Sequence, residues 1–117
     1  MSKAAESAED AQEICGLLID NGYFIQVRET RNISRKRGAF RLDAKEVNAI
    51  SRAAEKVGLI VIGTFHSHIT WFAKPGPTDI QGAQDKSLML IVDSMDKQVG
   101  LWRISHGRAY ARQFELI

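Results

Sequence analysis

The sequence lacks most of what would tie a chain to the outside of a cell. It has one cysteine, Cys15, in 117 residues, so no intrachain disulfide can form and no oxidising compartment is called for. No apolar run approaches the length needed to span a bilayer. Met1-Ser-Lys-Ala-Ala-Glu6 has no apolar stretch of the kind a secretory signal carries. These absences point to a cytoplasmic chain with no membrane partner. Charge of one sign is also missing. Sixteen basic residues face fourteen acidic ones, a net charge of +2, which by itself does not indicate nucleic acid. Prolines number two, Pro75 and Pro77, both in one loop. No internal repeat or low-complexity segment is present. What remains is ordinary for a globular protein, with 44% apolar and 26% charged residues. The length suits a single domain over residues 1–117, able to bury about two-thirds of its unfolded surface.

In chain order, residues 1–12 read as a flexible or helical N-terminal segment, rich in Ala and Glu. Glu13 to Ile19 turns apolar and reads as a buried strand. Asp20-Asn21-Gly22 is a tight-turn signal, with Tyr23 to Glu29 as the returning strand. A basic loop, Asn32 to Gly38, leads to a short half-buried strand at Ala39 to Leu42. Asp43 is a helix N-cap with Glu46 as its capping-box partner. Val47, Ile50, Ala54 and Val57 form the apolar stripe of that helix, which Gly58 ends. Leu59 to Phe65 reads as a strand buried on both faces, with its apolar run between Gly58 and Gly63. A loop holds Trp71, Phe72 and both prolines. A short helix opening at Thr78 or Asp79 is expected to reach Gln84. Ser87 to Asp93 is a second buried strand, Ser94 to Gln98 a polar turn, and Val99 to Ile104 with Tyr110 to Leu116 a closing pair turned at His106-Gly107. Seven strands and a central helix in this order predict an α/β (α+β) sandwich, a mostly antiparallel sheet flanked by helices.

The chemistry gathers at the end of the strand that begins at Leu59. His66 and His68 are two residues apart, and on an extended chain such residues share a face. Asp79 follows eleven residues later and can return a carboxylate to them. Two nitrogens, one oxygen and an open position make the ligand set of a catalytic zinc ion. A hydrolase also needs a general base. Chain spacing does not locate it. Glu13 is the best candidate, an acid at the start of an apolar strand, and a solvated junction residue is its alternative. Asp79 alone would read as an N-cap, Cys15 as a small buried apolar residue, and His106 as a turn residue.

Together, Glu13-Ile-Cys-Gly-Leu-Leu18, His66-Ser67-His68 and Asp79 resemble the JAMM motif of the MPN+ metalloproteases. That family's pattern is a Glu near the first strand, then His-x-His-Pro, then Ser-x-x-Asp. The spacing from the second His to the Asp agrees, as do Phe40-Arg-Leu-Asp43 before a helix and the Leu59-to-His66 approach. The resemblance covers the chain from about Glu13 to its end. It implies the MPN/JAMM (cytidine deaminase-like) fold and a Zn²⁺ held by His66, His68 and Asp79, with Glu13 as the acid/base. It implies cleavage of a peptide or isopeptide bond, with a protein or peptide substrate such as a ubiquitin-like C-terminal tail. Two positions depart from the pattern. Ile69 replaces the Pro, and Gly76 replaces the Ser that helps hold the oxyanion in the family. Losing one such donor costs about 10²–10³ in rate. Thr70, Thr78, Ser67 and the backbone N–H groups around Gly76 are the substitutes at hand.

The alternative is a weakly active or non-catalytic MPN-fold interaction module, such as those associated with phage tail assembly. Trp71 and Phe72 read either as core or as an aromatic grip on substrate. Arg28, Arg31, Arg35, Lys36, Arg37 and Arg41 read as a solvated basic surface, with docking of an acidic partner or nucleic acid as the rival reading. Nucleic acid is not an expected partner.

Overall fold

The computed structural model describes residues 14–35, 40–68, 73–93 and 98–115. The expected N-terminal helix, Glu13, Trp71, Phe72, Thr70, Ile69, Lys36 and Arg37 lie outside the described residues. Six strands and two helices are described: β1 (Cys15–Asp20), β2 (Ile25–Thr30), α1 (Ala44–Lys56), β3 (Ile60–His68), α2 (Pro77–Gly82), β4 (Leu88–Asp93), β5 (Gln98–Ser105) and β6 (Arg108–Arg112). The strands form one sheet in the order β2-β1-β3-β4-β5-β6. All neighbours run antiparallel except β3 and β4. The sheet is therefore mixed and mostly antiparallel, as expected. No described helix is long and apolar enough to cross a membrane.

Local chemistry explains most boundaries. Between β1 and β2, Asp20 accepts the Gly22 N–H and Asn21 accepts those of Tyr23 and Phe24, while Gly22 takes φ +93°, a region that favours glycine. At α1, Asp43 caps the helix by accepting the Lys45 N–H at 3.0 Å. Glu46 does not close the expected capping box, because its carboxylate accepts the Arg31 N–H at 2.8 Å and so ties the helix to the end of β2. Val57 is the C-cap residue and 71% exposed, so the inward stripe ends at Ala54. The short strand expected at Ala39 to Leu42 is reduced among the described residues to one bridge, Asn32 to Leu42. The Asn32 side chain, not a partner strand, takes the Arg41 N–H.

The strand expected over Leu59 to Phe65 begins at Ile60 and continues through both histidines. It is not buried on both faces along its apolar run. Ile60 is 63% exposed, whereas residues from Phe65 to His68 are buried. The reason is register. β4 joins only at Leu88 opposite Gly63, so residues 60–62 have β1 alone beside them. A bulge between Leu18 and Ile19 adds an irregularity at the same level.

The sheet separates two apolar clusters. One holds Leu18, Phe65 and Leu88. The other holds Met89, Ile91 and Ile104, with Ile80 and Ala83 packed against it. Strand alternation and register put these clusters on opposite faces. Ile91 pairs with His66, so the histidines share the face on which α2 lies.

Candidate metal centre

His66 and His68 end β3 where it runs parallel to β4. In sheets with parallel strands, ligand sites collect at the carboxyl ends of those strands. The connection from β3 to β4 contains α2, which brings Asp79 back over the same end. Pro77 opens α2, its fixed φ suiting the first helical position, and Gly76 is the N-cap. Asp79, three residues on, accepts the Gly76 N–H at 2.9 Å, which aims its carboxylate back across the helix start.

Three donor groups converge. His66 Nε2 lies 3.0 Å from His68 Nε2, 3.4 Å from Asp79 Oδ1, and His68 Nε2 lies 3.3 Å from Asp79 Oδ2. His66 is fully buried and His68 nearly so, while the Asp79 side chain keeps 16% of its surface exposed. A tetrahedral zinc site with bonds of about 2.0–2.1 Å has edges of roughly 3.3–3.4 Å. The contacts between the donors are of that size, with those to Asp79 falling on its two different oxygens, and two imidazoles with one carboxylate are a suitable donor set. The three residues form a group able to hold a metal ion.

Electrostatics prepare the ligands. Burial lowers the pKa of His66 below the ordinary 6.5, and the charge of His68 adds to this, while the hydrogen bond and charge of Asp79 oppose it. Burial alone would raise the Asp79 carboxyl. Hydrogen bonds from both histidines, the charge of His66 and the Gly76 N–H outweigh it and hold Asp79 well below the usual carboxylate range. A neutral imidazole and an ionised carboxylate are the forms a metal binds.

The other expected site residues are placed differently. Ser67 alternates to the opposite face, where its hydroxyl accepts the Ile14 N–H at 2.8 Å and Ile14 O accepts the Ser67 N–H. It anchors the start of β1 and does not point at the donor triangle. Thr78 is exposed on α2. The Gly76 N–H is occupied by Asp79, so it is not free to serve an oxyanion. Glu13 and Trp71 lie outside the described residues. Cys15 is buried opposite His66 in register and is not part of the donor group. Arg28, Arg31, Arg35 and Arg41 are exposed.

Two contributors were not found by sequence reasoning. Phe40 stacks on His66, with ring centroids 4.3 Å apart and planes 19° from parallel. Trp102 Nε1 donates to the Ala73 carbonyl at 2.9 Å, holding the segment that leads into α2. Phe40 lay in a stretch that resembled a family pattern, but no spacing rule linked it to His66.

The model of one family, prokaryotic homologs of the JAB domain, matches residues 2–105. The chain belongs to this family. A curated relative, the desampylase of Pyrococcus furiosus, is 28% identical over 94 residues, covering 80% of this chain and 67% of that one. Among solved structures, a Desulfitobacterium hafniense protein superposes with a TM-score of 0.74 at 22% identity, covering 95% of this chain and 86% of the other. A Salinibacter ruber protein does so with 0.53 at 21% identity, covering 96% and 82%. These likenesses establish the fold. This JAB-domain protein is thus a distant homologue of a desampylase, with a His-His-Asp group at the end of its parallel strand pair.

Proposed function

We propose that this JAB-domain protein is a zinc metallopeptidase that hydrolyses a peptide or isopeptide bond, releasing a ubiquitin-like protein from a target. The observation that carries the reading is the convergence of His66, His68 and Asp79, with 3.0 Å between the two Nε2 atoms and 3.4 and 3.3 Å from these to the two Asp79 carboxylate oxygens. The desampylase relative supports the choice of a ubiquitin-like substrate. His66, His68 and Asp79 hold the ion, and Glu13 is the general base. When bound, Zn²⁺ supplies Lewis acidity, polarising a carbonyl and lowering the pKa of water toward about 7. The protein's own residues do the rest. Asp79 stays ionised, held by the Gly76 N–H. Burial keeps His66 neutral at neutral pH. Glu13 takes a proton from the attacking water and returns it to the leaving nitrogen.

A second reading, a weakly active or non-catalytic interaction module, has one specific observation in its favour. Gly76 has no hydroxyl, and its N–H is already bonded to Asp79. Zinc analysis and an isopeptidase assay on a ubiquitin-like conjugate separate the two. The enzyme reading expects near-stoichiometric zinc, lost in His66→Ala and Asp79→Asn. It also expects cleavage that is lost in Glu13→Gln while zinc is retained. Bound zinc with no cleavage of any amide substrate would leave the module reading standing.

A further inference from the structure

We propose that Phe40 is a positioning residue for His66, orienting the ligating imidazole by face-to-face stacking. The inference rests on the metal-site reading above and extends it to a residue outside the donor group.

The His66 ring presents Nε2 to His68 and Asp79. A neutral imidazole that binds through Nε2 carries its proton on Nδ1. In metal sites that N–H is nearly always held by a carboxylate, a carbonyl or water, which fixes the tautomer and the ring plane. Among the described residues, His66 Nδ1 is buried and has no hydrogen-bond partner. The ring is held on its face instead, by Phe40 at 4.3 Å and 19°. A ring so covered cannot turn about its Cβ–Cγ bond without losing the contact. Coordination also draws electron density from the imidazole, and the electron-rich face of Phe40 favours such a ring.

The stacking residue is itself tied down. Arg41, next in the chain, donates its N–H to the Asn32 side chain at 3.0 Å, and its carbonyl accepts the Ile33 N–H at 2.9 Å. Leu42 bridges to Asn32, and Asp43 begins the capped α1. Phe40 is therefore fixed from its C-terminal side by β2's exit segment and by the helix. Its aromatic face, not merely its bulk, is what the geometry uses.

The test compares the full-length protein with Phe40→Leu and Phe40→Tyr. Zn²⁺ affinity is measured by competition with a chromophoric chelator, and the His66 ring protons are followed by NMR in the metal-free proteins. In the wild type, these protons are expected upfield of ordinary values because of the Phe40 ring current. Phe40→Leu should lose that displacement and bind Zn²⁺ about tenfold more weakly, at the low end of losses seen when a ligand's supporting partner is removed. Phe40→Tyr should restore both, which a loss of folding would not. Wild-type affinity in Phe40→Leu overturns the inference while leaving the metal site intact. Absence of an upfield displacement in the wild type overturns the stacking itself. A wild type that binds no Zn²⁺ overturns the proposed function, and the inference with it.

Discussion

Gly76 caps α2 at φ −83°, a conformation open to any residue, so backbone freedom is not why a glycine stands there. A Cβ at this position would meet only Asp79 Oδ2, at 3.6 Å, an ordinary contact. Serine therefore fits. A serine hydroxyl could cap the helix, a gain over glycine of only a few tenths of a kcal/mol. Gly76→Ser should leave Tm and Zn²⁺ affinity close to wild type. If an oxyanion donor is what the site lacks, kcat on an isopeptide conjugate should rise by about 10²-fold. An unchanged kcat would place the missing donor elsewhere. His66 yields a second prediction, for the metal-free protein. Its folded pKa lies below the ordinary 6.5 because of burial. Its contribution to stability is thus fully present above about 6.5 and is lost as pH falls from there toward the folded value. Asp79, held far below the usual carboxylate range, stays ionised through that window and adds no slope. The urea midpoint should be lower at pH 5.0 than at pH 7.5, by a smaller margin in His66→Gln. Equal margins would discard His66 as the source. The donor triangle was legible in the sequence because i and i+2 on a strand share a face and Asp79 follows at a short return. Phe40 was not, since its stacking depends on how Asn32 closes the preceding loop.

At the scale of elements, the site depends on how closely β3 and β4 run and how firmly the segment before α2 is held. Gly63 opposes Leu88, and a Cβ there would collide with the Leu88 carbonyl. Gly63→Ala should destabilise the protein by roughly 1–3 kcal/mol, the usual cost of overpacking, read as a lower urea midpoint with unchanged m-value. A midpoint equal to wild type would mean the strands separate without cost. The segment before α2 is pinned by Trp102 to the Ala73 carbonyl, and Gly100 leaves room for that carbonyl. Trp102→Phe keeps an aromatic ring and removes only the donor. Hydrogen exchange at the Gly76 amide should speed up and Zn²⁺ affinity should fall several-fold, in line with one net hydrogen bond of about 0.5–1.5 kcal/mol. Most elements were readable from turn and cap residues, including Asp43, Gly22 and His106-Gly107. The ends of β3 were not. Its two histidines lie inside the strand because β4 continues beside them to Asp93, and pairing of that kind is not visible in a local pattern. The strand expected at Ala39 to Leu42 differs for the opposite reason: alternation was present, but among the described residues its pairing is limited to the bridge between Asn32 and Leu42.

For the whole molecule, the ligands come from separate elements, two from β3 and one from α2. An ion held by all three would join a central strand to the crossover helix and would be absent from the unfolded chain. Binding then adds to folding stability by mass action, about 2.7 kcal/mol at a free metal concentration 100 times Kd. For a chain of 117 residues that corresponds to a rise in Tm of roughly 10–15 °C. The rise should be reversed by a chelator and absent in His66→Ala and Asp79→Asn. It should be retained in Glu13→Gln, whose proposed role is to move a proton and not to hold the ion. Differential scanning fluorimetry across a Zn²⁺ series distinguishes these outcomes without any substrate. If Glu13→Gln lost the rise along with the ligand variants, Glu13 would belong among the ligands, and the division of labour between three ligands and one base would be wrong.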